Sequence, residues 1–214
     1  MEELRYTLLT DGASDRALLP ILKWLLIANG VNYPLQETWA DLSLVNPKPE
    51  GLARRIKVSL ELYPCDCIFI HRDAEGQPHT IRRDEILRNI ETLGQGVVVP
   101  YICVIPVRMQ EAWLLFNQAA IRRASGNPNG QVRLNLPKPN KIEALPDPKE
   151  ILYGLIRDAS ELEGRRLKRL YPSALAYRVS ELIEDFSLLR QLSAFNLLEE
   201  EIRQIIEQNG WGRQ

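Results

Sequence analysis

Cysteine is scarce in this chain. Cys65, Cys67 and Cys103 are the whole complement among 214 residues, too few and too odd in number for a disulfide framework. Cys65 and Cys67 are spaced C-x-C in an apolar run, where a strand would set them on one face. No second cysteine pair exists to complete a zinc site. The three read as buried free thiols in a reducing cytoplasm. Long apolar runs are also missing. The longest stretch, residues 17–28, is interrupted by Lys23 and is too short to span a bilayer. The opening MEELRYTLLTDG has no basic segment followed by an apolar run, so no signal peptide is expected. These absences predict a cytoplasmic protein without a membrane partner. Charge of one sign is lacking as well: 27 basic residues face 28 acidic ones, for a formal net charge of -1. That excludes a global basic footprint for nucleic acid and leaves only a local patch. Gly-x-Ser-x-Gly, the P-loop and the dinucleotide glycine fingerprint are all absent, which argues against a hydrolase elbow, an NTPase and a dinucleotide enzyme. Of the two histidines, His79 falls in a loop and His71 reads as a strand-end residue rather than a base.

What is present suffices for a core. At 214 residues and 45% hydrophobic, the chain can form one larger domain, or one domain with a helical appendage, without staples. Strand-like runs fall at residues 5–10, 39–45, 65–71 and 97–107. Helical patterns occupy residues 14–30, 52–62, 82–93 and 109–116, with Ser14 as N-cap, Asp15 in the first turn and Pro20 as a candidate kink. This alternation predicts an α/β fold, a mostly parallel sheet with helices on both faces, over residues 1–124. Residues 125–148, rich in Pro, Asn and Gly, read as a connector loop. Residues 149–214 read as a C-terminal helical extension packed on the same domain.

In such sheets the ligand site lies outside the carboxyl ends of the strands. Asp11 follows the first strand there, Asp73 and Glu75 follow the third, and Glu111 comes a few residues after the fourth. Asp73 and Glu75 are two apart, so continued strand geometry would point both to one side. Two adjacent carboxylates repel, and a divalent cation relieves the conflict. Hard oxygen donors suit Mg²⁺ or Mn²⁺. Four carboxylates could hold one metal, or two in a phosphodiester clamp. Any one of these acids alone is equally well explained as a turn cap, and the joint placement carries the argument. Glu111 lies in the apolar segment MQEAWLLF, where burial is costly without a metal or a partner such as Arg108.

Five segments resemble a known family. LLTDGASDRALLPILKWLL is similar to the opening of a Toprim domain, in which a strand ends in Glu-Gly before a helix. CIFIHRDAEG resembles the later Toprim strand that ends in Asp-x-Asp. VIPVRMQEAWLLFN, PKPNKIEALPDPKEIL and the Ser-Ala-Phe near the C-terminus resemble small stand-alone bacterial Toprim-like proteins, related to the Toprim domain of overcoming-lysogenization-defect nucleases. Asp11 stands where that family has Glu, and Glu75 where it has the second Asp. The resemblance implies a Rossmann-like Toprim fold. It implies Mg²⁺ bound by Asp73 and Glu75, with Asp11 as acid/base or ligand, and a nuclease acting in defence against mobile DNA. The shortened Asp11 leaves a second implication open: a degenerate metal- or partner-binding regulatory subunit, acting with a partner such as an ATPase.

Nucleic acid would need cations. Arg165, Arg166, Lys168 and Arg169 cluster before Tyr171, and Arg72 adjoins Asp73. The cluster can serve phosphates with tyrosine stacking, or simply be a solvated helix face.

Overall fold

Strand β1 (Leu4–Leu9) alternates its side chains between two cores, and that alternation organises the protein. In the computed structural model, which describes residues 2–212, β1 is joined by β2 (Leu35–Trp39), β3 (Cys67–His71) and β4 (Tyr101–Val104). All pairings are parallel, in the order β2-β1-β3-β4. Residues 1, 213 and 214, the outer ends of the expected ranges, lie outside the described residues.

Helix α1 (Leu18–Ala28) connects β1 to β2, α2 (Leu52–Leu62) crosses back to β3, and α3 (His79–Leu93) leads to β4. Parallel neighbours need such crossovers, so each strand leaves its carboxyl end at the same rim. After β4 come α4 (Gln118–Ala124), α5 (Pro148–Ser160), the short α6 (Gly164–Leu167), α7 (Pro172–Glu181) and α8 (Ser193–Asn209). The larger core joins Leu4, Tyr6, Leu8, Phe69 and Val104 of the sheet with α1, α4, α5, α7 and α8. The smaller one joins Leu9, Ile68, Ile70 and Cys103 with α2 and α3. The chain is therefore α/β and Rossmann-like, helix-covered on both faces, with its C-terminal helices sharing the larger core.

Several boundaries depart from expectation for identifiable reasons. β2 occupies residues 35–39 rather than 39–45, because its register runs from Leu4↔Leu35 to Leu8↔Trp39 and β1 ends one residue later. β4 keeps four residues of the run 97–107; Pro100 and Pro106 flank it, and neither has an N–H to donate. Pro20 is the third residue of α1, where the N–H has no intrahelical partner in any case. Residues 109–116 form a 3-10 turn, Gln110–Leu114, instead of a longer helix. Within 125–148 a 3-10 turn, Pro139–Ala144, anchors the connector, and Leu134 and Ile142 are buried. The three thiols are free and buried. Cys65 and Cys67 do not share a face: β3 starts at Cys67, which enters the larger core, while Cys65 packs into the smaller.

The outer edge of β4 is covered by α8. Glu201 Oε2 accepts from the Cys103 N–H at 3.1 Å, which fills a donor that an open edge would expose. Among the described residues no helix is long and apolar enough to cross a membrane.

Candidate metal centre at the strand ends

β1 and β3 are neighbours whose connections depart in opposite directions, α1 towards β2 and α3 towards β4. The crevice between their carboxyl ends is the topological switch point where open α/β sheets place ligands.

His71 closes β3 there and is 2% exposed. Its Nδ1 lies 2.9 Å from the Val104 carbonyl. A carbonyl only accepts, so Nδ1 carries the proton, and in the neutral ring Nε2 presents a bare lone pair. That lone pair faces Asp73 Oδ1 at 3.4 Å and Asp15 Oδ2 at 3.9 Å. Imine nitrogen and carboxylate oxygens are all acceptors, so the arrangement is repulsive until a proton or a metal cation enters it.

Asp15 sits in the 3-10 turn Ala13–Ala17 that follows β1, and is buried. The Gly12 N–H and the Ser14 hydroxyl donate to its carboxylate at 3.0 and 3.1 Å, which orients it. Asp73 leaves the end of β3. Burial, reinforced by the charges of Asp15 and Glu111, pushes its carboxyl up to about 6, although His71, when its ring carries the second proton, and the Gln110 N–H pull the other way. Its Oδ1 is buried without a hydrogen bond.

Glu111 arrives from the turn after β4 and is 1% exposed. Lys149, in the first turn of α5, brings Nζ to 3.2 Å from Glu111 Oε1, as an ion pair whose alignment leaves that oxygen without a hydrogen bond. Burial lowers the Lys149 pKa, but the charge and contact of Glu111, joined by Tyr153 and Asp15, together leave the amine above its ordinary value. The Gln110 side-chain amide and the Tyr153 hydroxyl are likewise buried and unpaired. Of nine such orphaned atoms among the described residues, five belong to Asp73, Gln110, Glu111 and Tyr153. Native interiors leave few polar atoms unsatisfied, and these five lie around the pair Asp73 and Glu111.

The rim of the crevice is different. Asp11 is half exposed, and its Oδ1 accepts from Arg55 at 2.5 Å and Arg72 at 3.2 Å. Arg72 also pairs with Glu85 at 3.1 Å. The strand does not continue through Glu75, which adopts a left-handed φ of 53° before Gly76 at 80°. Glu75 therefore turns outward, 68% exposed, and pairs with Arg82 at 3.0 Å. The structure thus brings Asp73 and Glu111 together, adds Asp15, His71 and Lys149, and leaves Asp11 and Glu75 in arginine pairs outside them.

Arg165, Arg166, Lys168 and Arg169 are exposed and take part in no ion pair among the described residues, and Tyr171 is 71% exposed. The following helix α7 packs against the Ala13–Ala17 turn, with Arg16 over the Tyr177 ring at 4.5 Å. The basic segment lies just before this helix in the chain.

Among the described residues no group of three or more His, Cys, Asp and Glu side chains is already gathered to hold a metal ion. The chemistry of the set nevertheless fits one: acceptors converge on His71 Nε2, the opposite ring nitrogen is fixed by a carbonyl as ligating histidines are, and two buried carboxylate oxygens lack partners. Compared with known proteins, the chain matches no family model, no curated protein and no solved structure.

Reading the residues in order missed Asp15, treated only as a favourable first-turn charge, and Lys149. It set His71 aside as a strand end. No local signal distinguishes Lys149 from the other cations of the C-terminal helices; only the packing of α5 on the Gln110–Leu114 turn selects it.

Proposed function

We propose that the crevice is a divalent-metal centre for phosphodiester hydrolysis in nucleic acid, with Asp15, His71, Asp73 and Glu111 as its donors. The observation that carries the reading is His71 Nε2 facing the Asp73 and Asp15 carboxylates at 3.4 and 3.9 Å. An imidazole among carboxylates favours Mn²⁺ over Mg²⁺, because nitrogen suits the later ion better. A bound divalent cation supplies Lewis acidity towards a phosphoryl oxygen and lowers the pKa of water. Asp73 and Glu111 contribute carboxylate oxygens to hold it, and Lys149 pairs with Glu111. The Val104 carbonyl holds the His71 ring in one tautomer. The exposed Arg165–Arg169 segment offers phosphate contacts, screened by salt in proportion to their number.

The motif resemblance supports a Toprim-like relative in which Asp15 takes a larger part than Asp11. The buried free thiols suit a cytoplasmic location, and defence against mobile DNA remains the role the resemblance suggests.

A second reading rests on a specific observation: the donors are not drawn together as they stand. A regulatory subunit whose centre is completed by a partner such as an ATPase would have that geometry.

The test pairs calorimetric titration of Mn²⁺ and Mg²⁺ with cleavage of single- and double-stranded DNA and RNA. Wild type is compared with Asp73→Ala. Cation binding and cleavage, both lost in the variant, are expected. Cation binding without cleavage would favour the regulatory reading, and no cation binding by folded wild type would sink the metal centre.

A further inference from the structure

Beside the metal centre, outside the carboxyl ends of β1 and β2, lies a cleft of about 370 Å³, a volume in the range of small-ligand sites. Trp39 forms part of its wall, and the indole Nε1 donates to Thr10 Oγ1 at 3.0 Å, which fixes the ring. Leu42 and Pro49 are buried apolar neighbours in the same lining.

The lining carries groups of both charges. Asp41 stands two residues past the end of β2, and its Oδ1 accepts from the Ser43 N–H at 3.0 Å. The Ser43 hydroxyl and N–H hold this carboxyl below its ordinary value, so it is a pure acceptor at neutral pH. The same lining holds two cations and the Asp11 carboxylate that pairs with one of them. Arg55 donates to Asp11 and to the Thr10 carbonyl. Lys48 is exposed and in no ion pair among the described residues.

In the dinucleotide-binding kind of α/β sheet an acid beyond the second strand accepts hydrogen bonds from ribose hydroxyls while the phosphate lies towards the first strand's turn, and Asp41 has the corresponding place here. The glycine fingerprint that cradles a dinucleotide pyrophosphate is absent, which limits the ligand to a single nucleotide unit. A flat base suits the aromatic and apolar wall.

We propose that this cleft binds one ribonucleotide unit, with its sugar hydroxyls on Asp41, its base against Trp39 and its phosphate towards Lys48 and Arg55. The assignment deepens the phosphodiester reading by naming the substrate class; it rests on that reading for its catalytic meaning, whereas nucleotide binding stands without a metal. The unit could be a free mononucleotide or the end of an RNA strand, and both present the same chemistry.

The experiment is calorimetric titration with AMP and dAMP in the absence of divalent cations. Wild type is expected to bind AMP roughly tenfold more tightly, because dAMP lacks the hydroxyl that donates to a charged acceptor. Asp41→Asn should erase that preference, and Trp39→Leu should weaken both ligands together. Equal affinity for AMP and dAMP, a preference that survives Asp41→Asn, or no binding of either would overturn the proposal. Competition with a short oligoadenylate assigns the source: displacement of AMP points to an RNA end, and retention of AMP to the free nucleotide. A separate Mn²⁺ titration of Asp41→Asn, expected to match wild type, reads the metal centre alone, so failure of one site is not mistaken for failure of the other.

Discussion

The inner wall of the crevice and its outer rim carry the same residue types in opposite states. Inside, Glu111 is buried and Asp73 is partly buried, each with one oxygen that lacks a hydrogen bond, and Lys149 meets Glu111 off-axis. Outside, Asp11, Glu75 and Glu85 are held by Arg55, Arg72 and Arg82 at 2.5 to 3.2 Å. Desolvated and unsatisfied carboxylates cost free energy, whereas exposed ion pairs are nearly neutral to stability. A fold keeps the costly arrangement where something other than the fold uses it. The contrast separates acids satisfied by arginine from acids left without a hydrogen bond, which is what the proposed centre requires.

The largest effect is expected at Asp73. Its carboxyl is raised from the ordinary 3.8 to about 6, so over that window the folded protein holds a proton that the unfolded chain has released. The unfolded state then binds fewer protons, and metal-free stability falls as pH rises from about 4 to about 6. Asp73→Asn should flatten this fall and raise the metal-free melting temperature at pH 7 above wild type, while abolishing Mn²⁺ binding. Thermal denaturation across pH 4 to 8, with and without Mn²⁺, checks both parts; a variant less stable than wild type throughout would mean that the inner wall is not under strain.

Next in size is Lys149→Met, which leaves Glu111 buried without its cation. Loss of a partner from a largely buried pair costs about 3 kcal/mol, and less here because Lys149 is itself half exposed. Denaturant melts should show a loss of about 1–3 kcal/mol, part of it recovered in Mn²⁺. No recovery would separate Glu111 from the donor set.

The basic segment sharpens the comparison from the outside. Replacing Arg165, Arg166, Lys168 and Arg169 with serine should leave the melting temperature unchanged. It should lower nucleic-acid affinity and reduce the salt slope by about one for every phosphate that is no longer neutralised. An unchanged slope would return these residues to the status of a solvated surface.

The smallest effect is expected from Glu75→Gly. Relief of the left-handed φ gains about 1 kcal/mol, and loss of the exposed Arg82 pair offsets some or all of it. Mn²⁺ affinity should not change. A large drop would place Glu75 back among the ligands.

Much of the architecture was legible in residue order. The α2 pattern matched its helix from Leu52 to Leu62, and the apolar run before Asp73 marked the central strand β3. Asp73 and Glu111 stood out as acids beside apolar runs, and the structure places both inside. Asp11 and Glu75 stood out for the same reason, yet they end in arginine pairs. Spacing cannot foresee that the backbone turns left-handed at Glu75, or that Arg55 of α2 swings over the first turn. β2 was misplaced because its limits come from the length of β1, a partner about thirty residues away.

Residue order settles the period of each element, the alternation of strand and helix that forces a parallel sheet, and the exclusion of disulfide and dinucleotide chemistry. Those follow from local sterics, hydrophobic spacing and composition. Which charges meet is a matter for the folded chain. Asp15, His71, Asp73, Glu111 and Lys149 reach one crevice from the ends of β1, β3 and β4 and from the start of α5, and whether a carboxylate is strained or satisfied depends on burial and on neighbours distant in the chain.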